Sequence, residues 1–379
     1  MASDIPIPLP VQESICYAKR LIGAENLREA SNQSKQLFAF RTYRSPLRMK
    51  RISLTNTAFE GNNNVYLFDD GPETVLVDTG DSSSETARQL SAALADHTLT
   101  FADIDRIILT HWHHDHTGLA GEIQSASNAH IYVHEADAPL VRREESAWLE
   151  LEEAMHAQYE RWEIPHQKQA ELAEFLDRDR SFEKPLDVTG FSDGTTFSIN
   201  GTTLTAVHIS GHAKGLCLFE IDTGGGPTEI LSGDALLPEY TPNVGGADLR
   251  VDRPLQRYIS GLRRIVSADY SKAWPGHREP IADPSTRAET IIRHHEERAW
   301  RVLDSLERHG PSSVWAVSAD LFGSLAGIHI LHGPGEAYAH LDHLERSGAV
   351  RRIGSDYRIT DRTATKLREL ENSRWSLGR

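Results

Sequence analysis

The run Thr110-His111-Trp112-His113-His114-Asp115-His116-Thr117-Gly118 follows directly on the apolar stretch Ile107-Ile108-Leu109, and no other feature constrains the fold as tightly. Four potential metal ligands, His111, His113, Asp115 and His116, fall within six residues. Imidazole nitrogens suit zinc, and a carboxylate beside them can hold a second divalent ion close by. The run is not tandem histidine, and it sits at the end of a predicted buried strand, where a loop can aim alternate side chains into one pocket.

Further candidate ligands recur in the same setting. His212 in HISGHAKG, Asp234 in LSGDALL and His277 in WPGHREP each come just after a predicted strand, and Asp78 in LVDTG ends another. A lone His or Asp there is commonly a cap or a satisfied hydrogen-bonding group; together with the cluster these residues form a constellation. The two cysteines, Cys16 and Cys217, stand far apart and outside any paired motif, which excludes a disulfide framework and a thiolate zinc site. Any metal rests on histidine and carboxylate.

The chain reads as α/β. Short strands in tight turns open the pattern from Ile52, followed by a helix over 84–96, the strand 104–109, a helix over 119–126 and the strand AHIYVH. Residues 135–184 read as a helical insertion broken at Pro165, with 14 acidic against 7 basic residues, a net −7. Strands resume with FSINGTTLTAVHI, and the pattern closes near 272–280. From Arg287 a long helix, a second helix over 336–346 and two short strands around Gly354-Ser355 are similar to a winged-helix module. Residues 346–379 carry nine basic and four acidic residues, a net +5. The expected boundaries are a peripheral N-terminal extension over 1–48, a catalytic domain over 49–285 and a winged-helix-like domain over 286–379.

In order and type these motifs resemble those of the metallo-β-lactamase superfamily. The resemblance implies an αββα sandwich with one divalent ion on His111, His113 and His212, a second on Asp115, His116 and His277, and Asp234 bridging them. Asp78 would orient the histidine loop, since ligand imidazoles donate their free N–H to a carboxylate or carbonyl. Zinc is the expected metal, with iron and manganese as alternatives. Ser210 stands where the family usually has proline, and Arg278 where glycine often follows the last histidine; neither removes a ligand. Arg278 and His114 are candidates for the substrate rim, although an Arg278 paired with Glu279 or another acid is the plainer reading.

Two divalent ions lower the pKa of a bridging water to about 7 and polarise the bond under attack. The chain is therefore expected to be a hydrolase, with Asp115 orienting the hydroxide and passing on a proton. The motifs do not choose the bond. A small carbonyl substrate, a thioester or lactone, is favoured by the acidic insertion and by the formal net charge of −15, which repels polyanions. The alternative is a metal-dependent ribonuclease whose basic C-terminal domain binds RNA. That domain also suits homodimerisation or a capping role. No apolar stretch approaches a membrane span and the opening residues lack a secretory pattern, so no membrane partner and a cytoplasmic address are expected.

Overall fold

The computed structural model describes residues 49–56, 61–177 and 184–365. Expectations for the N-terminal extension, Cys16 and residues beyond 365 lie outside that range. Six strands form a first sheet in sequence order: β1 (Lys50–Leu54), β2 (Asn63–Phe68), β3 (Val75–Val77), β4 (Arg106–Ile108), β5 (His130–His134) and β6 (Val188–Phe191). The pairs among β1, β2 and β3 are antiparallel, and those from β3 to β6 are parallel. A second sheet runs in the order β11-β10-β9-β8-β7, from β7 (Thr196–Ile199), β8 (Thr202–His208), β9 (Cys217–Asp222), β10 (Glu229–Gly233) and β11 (Lys272–Pro275). β7 and β8 form a hairpin through Asn200-Gly201, both at positive φ (49° and 85°), as a two-residue turn of this hand requires.

Strand alternation builds four layers. Val75 and Val77 point between the sheets, where they meet Phe197, Leu204, Phe219 and Leu231, while Leu76 points outward to Leu90 and Leu94 of helix α1 (Ser84–Ala95). On the far side Val207, Leu218 and Ile230 pack on Tyr258 and Leu262 of a helix over Pro254–Ala268 and on Ile291 of a longer one over Pro284–His309. This is the expected αββα order. The helices α2 (His114–Thr117) and α3 (Ala120–Ser127) follow β4, and α4 (Ala138–Val141), α5 (Glu145–Arg161) and α6 (His166–Asp177) follow β5, so the insertion is helical over its described residues up to 177, with its break at Pro165. The helices Pro254–Ala268 and Pro284–His309 are thus α7 and α8.

After α8 come α9 (Val314–Phe322), α10 (His329–Arg346) and an antiparallel hairpin of β12 (Val350–Ile353) and β13 (Asp356–Ile359). Two features depart from the expectation. The α9 segment, capped by Ser313 on the Ala316 N–H, is too apolar for a helix period to stand out. The second helix starts seven residues earlier than expected and runs through Gly333-Pro334-Gly335, a sequence that reads as a break. Packing overrides that local preference: a Cβ at Gly335 would lie 2.2 Å from Gly246 Cα, so only glycine admits this approach. Tyr159, Trp162, Ile164 and Leu172 of the insertion share a core with Val302, Leu306, Val317, Leu341 and Tyr357 of the C-terminal elements. The described residues from 49 to 365 accordingly belong to one compact unit.

Candidate metal centre

The strand-end loops converge. Asp78 follows β3 at φ 61°, a strained conformation for a side-chain-bearing residue, and is held there by its N–H to the Ile108 carbonyl at 3.0 Å. Its buried carboxylate accepts the Thr110 N–H (2.8 Å) and hydroxyl (2.9 Å), and faces His116 Nδ1 at 2.9 Å. Because the Thr110 hydroxyl donates to Asp78, it accepts from His111 Nδ1, 3.0 Å away. One carboxylate thus sets the orientation of both rings.

Each of the other imidazoles is also held by one nitrogen. His113 Nε2 donates to the Ala247 carbonyl at 3.1 Å, His212 Nδ1 to the Asn243 carbonyl at 2.9 Å, and His277 Nδ1 to the Gly61 carbonyl at 3.1 Å. With those contacts placed outside, the remaining ring nitrogens turn inward. His111 Nε2 and His113 Nδ1 face each other at 2.9 Å. His116 Nε2, His212 Nε2 and His277 Nε2 are buried without a hydrogen-bond partner, as is Asp234 Oδ1. Asp234 Oδ2 lies 3.6 Å from His212 Nε2 and 3.5 Å from His277 Nε2, and Asp115 Oδ2 lies 3.3 Å from His277 Nε2.

Buried polar atoms are rarely left without partners, so four orphans aimed at one centre require an occupant. Three sets of ligand atoms lie within 4.8 Å of one another: His111/His113/His212, Asp115/His116/His277, and His111/His116/Asp234, which joins the other two. The donor set of imidazole nitrogens and carboxylate oxygens fits divalent ions such as zinc. Backbone approach is equally tight: a Cβ at Gly276 would lie 2.5 Å from Asp234 Oδ1, and one at Gly233, already at φ 47°, would lie 2.8 Å from Thr110 Cβ.

Electrostatics divides the site. Burial, aided by neighbouring imidazoles, pushes His111 well down and His113 to about 3, and burial also lowers His212; all three are neutral, the form in which a histidine ligates. Burial would also depress His277, but Asp234 and Asp115 outweigh it and hold the ring up to about 10. His116 is raised in the same way by Asp234, Asp115 and Asp78. Against their own desolvation, both carboxylates are kept ionised, Asp115 by His116 and His277, and Asp234 by His277 and His116.

The two rim candidates stand apart from these sets. Exposed His114 faces the Ser82 hydroxyl at 2.9 Å. Arg278 pairs with Glu239 at 2.7 Å and lies over the Tyr240 ring, while Glu279 pairs with Arg51 instead. Sequence reasoning missed the loop 243–250, whose Asn243 and Ala247 carbonyls hold two of the rings. Its Asp248 also accepts the Trp112 indole N–H at 3.0 Å, and Asp137 accepts the Trp112 backbone N–H at 3.2 Å. Asn63 was legible only as part of a turn; its Nδ2 donates to the Asp115 carbonyl at 2.9 Å.

The family model of the metallo-beta-lactamase superfamily matches residues 58–277. A solved metallo-beta-lactamase family protein from Thermus thermophilus superposes with a TM-score of 0.72 at 29% identity, covering 83% of this chain and 99% of that one. The probable metallo-hydrolase YqjP of Bacillus subtilis is 26% identical over 300 residues, 76% of this chain and 88% of that protein. The thioesterase pkgB of Emericella nidulans is 25% identical over 239 residues, 63% of this chain and 51% of that protein. The chain likewise spans only 56–60% of the length of several fungal lactamase-like proteins it matches.

Proposed function

This chain belongs to the metallo-beta-lactamase superfamily of metal-dependent hydrolases, and from that premise we propose that it hydrolyses a small carbonyl substrate, a thioester or lactone, at a two-metal centre. One ion would be held by His111, His113 and His212 and the other by Asp115, His116 and His277, with Asp234 in the set that joins the two. Zinc fits the donor set. Divalent ions bound there acidify water and polarise the carbonyl oxygen. The chain's own groups do the rest: Asp78 and the loop carbonyls hold the ring tautomers, and Asp115, ionised and braced by Asn63, orients the attacking water and carries its proton to the leaving group.

One observation carries the choice of substrate. Trp148 of α5 packs edge-on against Trp112, between two candidate ligands, with ring centroids 5.7 Å apart. It thereby brings to the metal loop a helix with five glutamates and one arginine. An acidic helix beside the centre repels a phosphate chain and tolerates an acyl group. Two basic residues of the tail are held in ion pairs: Arg346 with Asp342 at 2.9 Å and Arg358 with Asp361 at 3.8 Å. The thioesterase pkgB among its relatives points the same way. We read α8, α9, α10 and the β12–β13 hairpin as a winged-helix-like cap on this centre. The test offers metal-analysed protein a panel of acyl-thioesters and lactones beside end-labelled single-stranded RNA, with Asp115→Ala as control. Thioester or lactone hydrolysis lost in the variant is expected; cleavage of RNA alone overturns the reading.

A further inference from the structure

Glu336 sits on α10, 6% exposed, and reaches across to the loop 243–247. Its Oε2 accepts the Val244 backbone N–H at 3.1 Å and faces Asn243 Nδ2 at 3.5 Å. Asn243 Nδ2 also donates to the His332 carbonyl, one turn earlier on the same helix, at 3.1 Å. Glycine contacts close the seam, since a Cβ at Gly245 would lie 2.6 Å from the Gly335 carbonyl oxygen. The loop is therefore pinned to α10 by a buried carboxylate, with Arg298 Nη1 3.4 Å from its other oxygen.

The same loop supplies the carbonyls that orient His212 and His113. Both rings belong to the His111/His113/His212 set. The rings of the Asp115/His116/His277 set are held instead by Asp78 and Gly61, from the first half of the chain. Two of the three rings of the first set are thus braced by the loop 243–247, while His111, through Thr110, shares Asp78 with the second set.

We propose that Glu336 is a positioning residue of the C-terminal helices that sets the affinity of the His111/His113/His212 site and leaves the Asp115/His116/His277 site unaffected. This rests on the two-metal reading above. Removing a partner that orients a metal-bound imidazole weakens binding by about 10- to 100-fold, and Glu336 acts one bond further out, so the low end applies.

The test titrates metal-free full-length protein with Zn2+ against a chromophoric chelator, resolving two binding steps, with the unfolding midpoint measured alongside. Glu336→Ala is expected to weaken one step by about tenfold and leave the other within about twofold. Glu336→Gln, which keeps an oxygen for the Val244 N–H, restores most of that loss. If the alanine variant fails to fold, Glu336→Asp, which keeps a charge for Arg298 but withdraws one methylene from Val244, decides the matter by the same selective weakening. Both steps unchanged in a folded variant, or both weakened equally, overturns the inference. A wild-type chain that takes up no divalent ion instead contradicts the proposed metal function, and this inference falls with it.

Discussion

At the strand ends, five histidines each give one ring nitrogen to a carbonyl, carboxylate or hydroxyl and turn the other into one centre shared with Asp115 and Asp234. Between α8 and α10, His295, Glu336 and His340 are buried as deeply, and their ligand atoms also lie within 4.8 Å of one another. Their hydrogen bonding differs. His340 Nδ1 donates to the Glu336 carbonyl at 2.8 Å, and His295 Nδ1 meets His340 Nε2 at 3.3 Å, so a single proton fills the gap between the rings. Both Glu336 oxygens have neighbours, and Arg298 already supplies positive charge. Among the orphaned atoms only His295 Nε2 belongs to this trio, and it is not one of the atoms that face each other. Burial of histidine and carboxylate is common to both clusters; the direction in which the second ring nitrogens point separates them.

Several substitutions would break or sharpen that contrast. The largest effect is expected from Asp115→Ala, which removes a ligand and the water-orienting carboxylate together. Turnover of the thioester or lactone substrate should fall by more than about a hundredfold with the far-UV circular dichroism unchanged, since Asp115 lies outside the apolar core clusters. Retained activity would remove Asp115 from the mechanism.

A smaller loss is expected from Asp78→Asn. The variant keeps the shape and one acceptor oxygen but loses the charge opposite His116 and part of the Thr110 contact that orients His111. Zinc affinity should drop about 10- to 100-fold, affecting both binding steps, in contrast to the single step affected at Glu336. Selective loss of one step would show that Asp78 serves only one half of the centre.

The smallest effect on the metal should come from His340→Leu, in the second cluster. The number of ions bound should stay the same, and loss of one would identify the trio as a site. Acid stability should change instead. Burial pushes His340 down to about 3 from its ordinary 6.5, so between those values the unfolded chain takes up the proton that the folded chain refuses. Folding stability from this residue is present above about pH 6.5 and is lost as the pH falls toward 3. Unfolding midpoints measured across that range should therefore decline less steeply in His340→Leu, and an unchanged slope would contradict a neutral buried imidazole.

Much of the centre was legible because it is written in residue types. Imidazoles and carboxylates placed just after strand patterns at 78, 111–116, 212, 234 and 277 announce themselves; alternating strand and helix periods give the α/β class, and the αββα order comes with the resemblance those motifs carry. The supports were not legible for the opposite reason. Asn243 and Ala247 act through backbone carbonyls, which every residue possesses, and the α10 extension past Pro334 depends on packing against Gly245 and Gly246 that local preference cannot reveal. The likeness to a winged helix rests on two helices and a hairpin, a pattern shared by many small modules.

The central claim is that the strand-end cluster holds two divalent ions. Native mass spectrometry of the metal-free chain titrated with Zn2+ tests it most directly. Two ions per wild-type chain are expected. A chain that takes up no ion, or one that still binds two when Asp115 and His277 are both replaced by alanine, would contradict it.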